Sequence, residues 1–577
     1  MGRTVTLVVL GLFLAGLVSG PQAAAAEGKV RRLPVAEYVS RMKAGWIGQM
    51  AGVGWGGPTE FKVKGEIIPE DRVPQWKPEL INQFHQDDIY VEMTFLETLE
   101  RYGLDCPIRQ AGIDFANSGY PLWHANRAGR DNLRSGIAPP DSGHPQFNQH
   151  ADDIDYQIEA DYAGLIAPGM PNLVIRLGET FGRLMNYGDG VYGGQFVGGM
   201  YAEAFFTADM VEVAKAGLAC IPAECQYAEM VRDVLAWYAK DPDDWQKTWN
   251  LIEEKYHKNS AYTHGLCGKP GGPGAGSIDA KLNGAYILMG LLYGKGDPDQ
   301  TIVISTRCGQ DSDCNPSNAG GILFTTIGFE NLPDKYTSAL NPEGTFSHTP
   351  YTFPKLIETC KNLVREALAK TGGKVETGAD GQEVFVIPIE APRPSALIKS
   401  YEPGPIANAR FTDEEMARIK PPPPPARKAP QSPKKDIAKA VAAFAPGWTA
   451  ENCGTEMDPG LRAEWGGRKN VLVTHPLSEA AGCVLSKEVA VPAGTRPTLR
   501  LVVGHDPRGD WTLVVKADDT VLARQKISST TCTDGWRTIE VDLSPLAGKT
   551  VRLSLVNEAD GWSWEAGYWA EVGVRSQ

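Results

Sequence analysis

The sequence has no cluster of basic residues, no Cys-x-x-Cys pair, no grouping of cysteine with histidine and, after its N-terminal segment, no apolar run long enough to cross a bilayer. Because Asp and Glu total 70 against 57 Lys and Arg, the formal charge is −13, which argues against nucleic acid as a partner. The missing cysteine and histidine patterns give no support to a structural zinc site. The sequence contains 42% hydrophobic and 22% charged residues, which is typical of a globular protein with a large core.

The N-terminus has the three parts of a secretory signal peptide. A basic start is followed by an apolar run from Val5 to Val18 and by small residues from Ala24 to Ala26. The run is shorter than the roughly 20 residues that a bilayer needs, so we interpret residues 1–26 as a cleaved signal rather than an anchor. We therefore expect a secreted or periplasmic protein with no membrane segment in its mature chain. Some of its ten cysteines could pair in that oxidising space, although sequence alone does not reveal the partners.

Length and pattern predict more than one folded unit in these 577 residues. Over residues 33–370, apolar positions recur at helical spacing, which predicts an all-α catalytic domain. An extended segment over residues 371–418 and a linker over residues 419–436 follow, the linker because five consecutive prolines begin at Pro421 and favour polyproline II. Short alternating runs separated by turn residues then predict an all-β jelly-roll sandwich over residues 437–577.

Two acidic motifs, more than two hundred residues apart, carry the strongest chemical signal. Asp87 and Asp88 directly precede an amphipathic helix, and adjacent carboxylates repel each other unless a cation or a helix N-terminus compensates. Asp311 and Asp313 lie two residues apart in a predicted turn and can direct both carboxylates to one ion. Taken singly, the first motif is more often a helix cap with a solvated neighbour, and the second is more often an ordinary turn.

Together the two motifs resemble the paired metal motifs of the ADP-ribosylglycohydrolase family, which usually read Thr/Ser-Asp-Asp-Thr and Gly-Gly-Asp-Thr-Asp-Thr. The segment from Lys43 to Phe61 is similar to the opening helix and loop of that family, with Glu60 at the place of its terminal glutamate. The resemblance covers about Leu33 to Ala369 and implies an all-helical hydrolase with two divalent cations, Mg²⁺ or Mn²⁺. The metal ligands that it implies are Asp87, Asp88, Asp311 and Asp313.

Four positions depart from the family pattern. Gln86 stands where the family usually has Thr or Ser, Ile89 and Cys314 each replace a Thr, and Val53 replaces an Asp. A thiol is a softer ligand than a hydroxyl and fits a hard cation poorly, which leaves open whether one or two cations bind. A backbone carbonyl, Gln86 or water could fill the vacant ligand position.

The middle segment differs from the family where substrate is expected. The end of this segment aligns with the substrate loop of the family, which is small and neutral there. In this chain the same region carries Glu159 and Asp161. Carboxylates facing a diphosphate are unfavourable unless a metal or Arg offsets them, whereas sugar hydroxyls can donate hydrogen bonds to them. Helical spacing of Asp155 and Glu159 is equally typical of a solvated helix face. The candidate substrate-binding residues are Gln86, Glu159, Trp123, His124 and Asn315.

The C-terminal stretch from Trp536 to Leu553 resembles the late strands of galactose-binding-like jelly rolls and carbohydrate-binding modules. An aromatic cluster near the end could stack on a glycan or pack inward on alternate strand positions. Its members are Trp562, Trp564, Tyr568 and Trp569.

We therefore expect a secreted, metal-dependent hydrolase that cleaves an N- or O-glycosidic bond in a carbohydrate or glycoconjugate. Glu60 is the first candidate for the catalytic carboxylate, with Asp161 and Asp153 as weaker candidates. One alternative is a true ADP-ribosyl hydrolase acting on an ADP-ribosylated protein or small molecule. Another is an inactive sugar-binding scaffold, which would bind ligand without turnover.

Overall fold

The computed structural model describes residues 1–2, 29–263, 278–420, 437–478, 481–493, 496–560 and 564–576. The chain divides into two compact units, residues 1–423 and residues 424–577. The expected signal peptide, apart from its first two residues, and most of the expected proline-rich linker lie outside the described residues. Within the described residues, every helix is too short or too polar to cross a membrane.

The first unit is helical, as the sequence predicts. Its helices are α1 (Val35–Gly56), α2 (Asp87–Tyr102), α3 (Ile108–Ala116), α4 (His124–Arg134), α5 (Asp155–Ile158), α6 (Asp161–Leu165), α7 (Pro171–Phe181), α8 (Asp189–Ala204), α9 (Met210–Leu218), α10 (Gln226–Lys240), α11 (Trp245–Ile252), α12 (Ala280–Tyr293), α13 (Pro298–Arg307), α14 (Cys314–Ile327), α15 (Phe353–Thr371) and α16 (Asp413–Met416). A three-stranded antiparallel sheet in the order β1-β3-β2 adds β1 (Val30–Pro34), β2 (Lys374–Thr377) and β3 (Glu383–Pro388).

Helices α1 and α14 form the centre of this unit and pack backbone against backbone. A Cβ atom added to Gly48 would lie 2.3 Å from the carbonyl oxygen of Gly320, and one added to Gly52 would lie 2.2 Å from that of Pro316. Such close approach is open only to glycine. It brings the C-terminal end of α1 beside the N-terminal end of α14, so the loops that adjoin these ends share one region.

Helix α2 shows why the acidic motif has a fixed position. Its apolar stripe, Val91, Phe95 and Leu99, is buried in the core, as helical spacing predicts. The helix ends at Gly103, whose positive φ of 74° terminates it. Burial of the stripe fixes the rotation of the helix and thereby directs its first turn, which carries both aspartates, toward the interior.

The segment predicted to be extended belongs to the same unit and packs along its surface. After β3, the backbone amides of Ala407 and Ala409 each donate to the carboxylate of Asp141 at 2.8 Å. Further along, the guanidinium of Arg109 holds the Glu415 carboxylate with two hydrogen bonds, one of them 2.8 Å long. The helical unit therefore binds this segment throughout its length instead of releasing it after α15.

The second unit is a β-sandwich of two antiparallel five-stranded sheets, preceded by α17 (Ile437–Phe444). Its strands are β4 (Thr449–Glu451), β5 (Gly460–Trp465), β6 (Arg468–Thr474), β7 (Cys483–Ala490), β8 (Pro497–His505), β9 (Trp511–Ala517), β10 (Thr520–Ile527), β11 (Trp536–Asp542), β12 (Thr550–Glu558) and β13 (Gly567–Ser576). The sheet orders are β10-β9-β12-β7-β4 and β11-β8-β13-β6-β5.

The aromatic cluster expected near the chain end divides between core and surface. Tyr568 and Trp569 are buried, and the Trp569 ring packs 5.3 Å from that of Trp511 in the interior of the sandwich. Trp564 is 41% exposed, and the guanidinium of Arg508 lies 3.3 Å above its ring. Trp562 lies outside the described residues. Inward packing thus accounts for Trp569, whereas Tyr568 stacks on Trp465 at 4.6 Å in a separate cluster and Trp564 remains available to solvent.

Candidate active site

A cavity of about 600 Å³ opens in the helical unit where the ends of α1, α2, α4, α5 and α14 meet. The residues singled out from sequence that line it are Glu60, Gln86, Asp87, Trp123, His124, Asp311 and Asp313. Both acidic motifs therefore contribute to one cavity, although more than two hundred residues separate them.

Each acidic motif occupies the N-terminal end of a helix. Asp87 and Asp88 form the first turn of α2, and Asp313 directly precedes Cys314, the first residue of α14. Helix N-termini stabilise negative charge, because their amide groups have no acceptor within the helix. One ligand atom from each of Asp311, Asp313 and Cys314 lies within 4.8 Å of the others. The fold therefore concentrates carboxylates at two helix ends that point into one space.

Burial and mutual repulsion make these carboxyl groups hard to ionise. Burial, then Glu60 and Asp88, raises the pKa of Asp311 to about 8. The pKa of Asp313 lies well above its ordinary value, because of burial first and of the charge on Asp311 second. The pKa of Asp88 is likewise well above its ordinary value, through burial and then the Asp87 and Asp313 carboxylates. Without a cation, the cluster would have to hold protons at neutral pH.

The oxygen atoms of this cluster fit divalent cations. Asp88 is 1% exposed and Asp311 is 2% exposed, and within the described part of the chain neither Asp88 Oδ2 nor Asp311 Oδ1 has a hydrogen-bond partner. Buried polar atoms normally have partners, so these two oxygens call for a ligand of another kind. Carboxylate oxygens are the ligands that Mg²⁺ and Mn²⁺ prefer.

Cys314, one of the departures from the family pattern, belongs to the same cluster. Its thiol Sγ lies 3.1 Å from Asp88 Oδ1 and 3.7 Å from Asp313 Oδ1. The side chain is buried and lines the cavity. The thiol thus bridges the two helix ends and is part of the candidate metal centre.

The loop that carries Glu60 is joined to the loop before α14. Thr59 Oγ1 and Ser312 Oγ share a hydrogen bond of 2.8 Å, and the Phe61 amide donates to the Gln310 carbonyl at 3.0 Å. These bonds flank Glu60, whose side chain meets solvent at the cavity mouth. In the cation-free protein, partial burial, followed by the charges of Asp313 and Asp87, raises the pKa of the Glu60 carboxyl to about 8. Glu60 thus lies beside the metal cluster, where a carboxyl group can give or take a proton.

The opposite wall comes from the N-terminal end of α4. Asp155 accepts hydrogen bonds from the amides of Asn126 at 2.8 Å and Ala125 at 3.3 Å, and burial raises its pKa to about 7. Trp123 lies just before the helix and is 53% exposed at the cavity. Burial, and then the neighbouring His150 and Lys64, lowers the pKa of His124 to about 4, so its imidazole is neutral at pH 7.

Five candidates do not line the cavity: Asp88, which belongs to the metal cluster, and four others that lie behind the walls. Glu159 accepts a hydrogen bond from Asn126, and Asp161 accepts one of 2.7 Å from Asn318. Asp153 pairs with His150 at 2.8 Å, and Asn315 donates to Asn283 at 2.8 Å. In this structure Glu159 and Asn315 therefore contact other side chains and not the cavity, and their predicted contact with substrate stays a prediction.

Sequence reasoning missed several groups that the fold brings to the site. Asp155, Asn126 and His150 line the cavity, and Glu92 is a buried acid whose carboxylate accepts a 2.7 Å hydrogen bond from the Tyr162 amide. The helical spacing of Asp155 with Glu159 was the one available signal, but it was equally compatible with a solvated face. Glu92 had no signal, since a lone acid in an amphipathic helix usually faces water.

Comparison with known proteins gives low overall similarity to solved structures. No curated protein matches the sequence. The chain is similar to an ADP-ribosylglycohydrolase-related protein complex, with 14% identity, a TM-score of 0.35, and coverage of 57% of this chain and 99% of the other. It is also similar to the Stig cyclase Fisc from Fischerella sp. TAU, with 17% identity, a TM-score of 0.19 and coverage of 23% and 85%. A third similarity, to the CBM22-1 xylan-binding domain of Paenibacillus barcinonensis Xyn10C, has 18% identity, a TM-score of 0.18 and coverage of 23% and 86%.

The family comparison is decisive where the structural scores are not. The model of the ADP-ribosylglycohydrolase family matches residues 34–371, more than half of the chain. This range coincides with the helical domain expected from the acidic motifs and the opening segment. The chain therefore belongs to the ADP-ribosylglycohydrolase family.

Proposed function

We propose that the helical domain hydrolyses a glycosidic bond, N- or O-linked, in a carbohydrate or glycoconjugate. The observation that carries this proposal is the composition of the cavity. Of the described residues that line it, five are carboxylic acids and one, Lys64, is a lysine. Sugar hydroxyls can donate hydrogen bonds to such acids, and the exposed face of Trp123 offers a flat surface on which a sugar ring can stack.

We propose that the four aspartates of the two motifs hold two divalent cations, Mg²⁺ or Mn²⁺. The buried carboxylate oxygens without hydrogen-bond partners support this assignment. When bound, such cations polarise substrate oxygens and lower the pKa of a coordinated water. The chain itself supplies orientation, because the loop of Glu60 and the loop of Asp311 are held together by the bond between Thr59 and Ser312.

We assign the proton transfer to Glu60. It is the only one of the three candidate catalytic acids that lines the cavity, among the residues the structure describes. Asp161 and Asp153 lie behind the wall of the cavity. Asp161 accepts a hydrogen bond from Asn318 and Asp153 is hydrogen-bonded to His150, so we assign to these two acids the positioning of those side chains. A carboxyl group with a pKa near the working pH can act as general acid or base, and such a group typically contributes about 10²- to 10⁴-fold to rate.

Hydrolysis of an ADP-ribosyl bond is the competing proposal, since it is the activity that gives the family its name. A diphosphate carries negative charge that Arg, Lys or metal ions must offset. Among the described lining residues that burden would fall on Lys64 and on cations whose charge is already offset by the aspartates that hold them, while Glu60 and Asp155 remain as acids not bound to a cation. The cavity therefore favours a neutral sugar. An inactive sugar-binding scaffold is the third possibility. The cluster of buried acids argues against it, because acids clustered without a use would destabilise the fold.

The test compares a glycan panel with an ADP-ribosylated protein, each with and without a chelator. We expect sugar release that the chelator abolishes, that Glu60→Gln lowers by about 10²-fold or more, and that the exposed control Glu224→Gln leaves unchanged. Release of ADP-ribose alone would overturn the glycan proposal. Binding of sugar without turnover by the cation-loaded protein would support the scaffold instead.

Two further proposals concern the other parts of the chain. We propose that the sandwich binds carbohydrate through its exposed Trp564, which would hold the catalytic domain near a polymeric substrate. Trp564→Ala should then weaken retention on an insoluble glycan and leave hydrolysis of a soluble one unchanged. We also propose export, with a mature N-terminus near Glu27, which N-terminal sequencing of protein from an expressing cell would test.

A further inference from the structure

We propose that Cys314 is itself a metal ligand, and that the position it serves takes a cation with affinity for sulfur, such as Zn²⁺, Fe²⁺ or Co²⁺, in preference to Mg²⁺. This inference rests on the proposed function, because it requires cations at the acidic motifs. It goes further by giving the two positions of the centre different ligand chemistry, one with oxygen ligands only and one with sulfur.

The geometry places the thiol within reach of an ion bound by the aspartates. One ligand atom each of Asp311, Asp313 and Cys314 lies within 4.8 Å of the other two. Bonds of about 2.0–2.3 Å to a first-row cation hold its oxygen and sulfur ligands at most about 4.5 Å apart. Small rotations of these side chains therefore suffice for one ion to contact all three.

A second observation points to a ligand at this place independently of the cysteine. Asp311 Oδ1 and Asp88 Oδ2 are buried and have no hydrogen-bond partner among the described residues. The other oxygen of Asp88 lies 3.1 Å from the Cys314 thiol. A cation there would satisfy the carboxylate oxygens and would meet the sulfur in the same coordination sphere.

The chemistry of sulfur then decides which cation is preferred. Mg²⁺ demands oxygen ligands and near-ideal octahedral geometry, whereas thiolates favour softer ions such as Zn²⁺. On binding, the bond between Cys314 Sγ and its hydrogen breaks, a bond between Sγ and the metal forms, and the proton passes through the cavity to solvent. No oxidant or reductant is required, because the metal keeps its charge.

Cobalt titration of the full chain, stripped of metal and kept under nitrogen, tests the proposal. The wild-type protein should develop a near-ultraviolet charge-transfer band from sulfur to Co²⁺ together with the visible bands of the bound ion. Cys314→Ser and Cys314→Thr should lose the charge-transfer band and keep the visible bands. Their preference for Co²⁺ over Mg²⁺ should fall by about tenfold or more, since even the loss of an outer-shell partner costs about 10- to 100-fold in affinity.

The matched control is Cys220→Ser, a buried cysteine that does not line the cavity and whose thiol already donates to the Ala216 carbonyl at 3.5 Å. It should retain both bands. X-ray absorption of the zinc-loaded wild-type protein, which needs no variant, should show one sulfur at about 2.3 Å from the metal.

The outcomes separate this inference from the proposed function. Visible cobalt bands without a charge-transfer band, or zinc with oxygen neighbours alone, would overturn the role of Cys314 and leave the cation centre in place. Persistence of the charge-transfer band in Cys314→Thr would also overturn it. If equilibrium dialysis finds no Co²⁺, Zn²⁺ or Mg²⁺ on the wild-type protein, the cation centre of the proposed function fails together with this inference.

Discussion

The substitution Asp311→Asn should separate stability conferred by cations from stability conferred by protons. Asn has nearly the same shape as Asp, so packing is kept while one charge is removed. Ligand atoms of Asp311 and Asp313 lie within 4.8 Å of each other. With an effective dielectric constant of about 20, two full charges at that distance repel by about 3.5 kcal/mol. Without cations, the native state must bear this repulsion or take up a proton.

The elevated pKa of Asp311, about 8 in the folded protein against 3.8 ordinarily, fixes the sign of the pH dependence. Between these two values the folded state keeps a proton that the unfolded chain has released. The stabilisation that this proton gives is complete below pH 4 and is lost as the pH rises toward and through 8. The free energy of unfolding of the metal-free wild-type protein should therefore fall from pH 5 to pH 9, and that of Asp311→Asn should fall less.

Without cations, Asp311→Asn should be the more stable protein at neutral pH. Cations should make the wild-type protein the more stable of the two. A ligand present at 100 times its dissociation constant stabilises the folded state by about 2.7 kcal/mol, which for a unit of this size is a rise in Tm of about 3 °C. We expect that rise at pH 7 for the wild-type protein and for the exposed control Asp71→Asn, and little of it for Asp311→Asn. The assay is differential scanning calorimetry with Mg²⁺, Mn²⁺, Co²⁺ or chelator. Equal Tm values with cation and chelator in the wild-type protein would refute the reasoning.

Three other substitutions have outcomes that the structure sets. Gly48→Ala should lower the free energy of unfolding, measured by urea titration, by about 1–3 kcal/mol, because its Cβ would lie 2.3 Å from the Gly320 carbonyl oxygen. The control Gly57→Ala, whose Cβ would have no atom within 4 Å, should change that free energy little. Asp155→Ala removes two hydrogen bonds to the first turn of α4 and should cost about 1 kcal/mol by the same measurement; no loss would show that the cap is dispensable. Trp123→Ala should raise KM for a soluble glycan about 2- to 10-fold at constant kcat, because a stacking contact contributes about 0.5–1.5 kcal/mol. An unchanged KM would exclude that contact.

Much of the fold was predictable because local patterns coincide with burial. The helical stripe of α2 and the alternation in β8, where Leu499, Leu501 and Val503 are buried, both follow from residue spacing alone. Strand β1 had no such signal. It pairs with β3, from Val30 opposite Pro388 to Pro34 opposite Val384, and pairing across more than three hundred residues depends on tertiary contacts.

The candidate site was predictable to the extent that it rests on motifs. The family resemblance pointed to both aspartate pairs and to Glu60. The structure brings Glu60, Asp87, Asp311 and Asp313 to one cavity, with Asp88 buried beside them against the Cys314 thiol. Residue spacing could not say which side of a charged helix faces inward. Asp155 and Glu159 have the spacing of a solvated face, yet both are buried, because the segment lies beneath α4.

The acids behind the wall hold neighbouring amide side chains. Glu159 accepts from the Asn126 side chain, and Asp161 accepts from that of Asn318. A carboxylate that holds the amino group of an asparagine fixes the direction of its amide, so the carbonyl oxygen is the end left for other partners. Within the described residues, the oxygens of Asn126 and Asn318 have no hydrogen-bond partner. Asn126 lines the cavity, but its oxygen is buried, so Glu159 fixes the orientation of one side chain of the cavity wall. Should a substrate reach that oxygen, the oxygen would accept hydrogen bonds from sugar hydroxyls and repel a phosphate, in agreement with the proposed carbohydrate substrate.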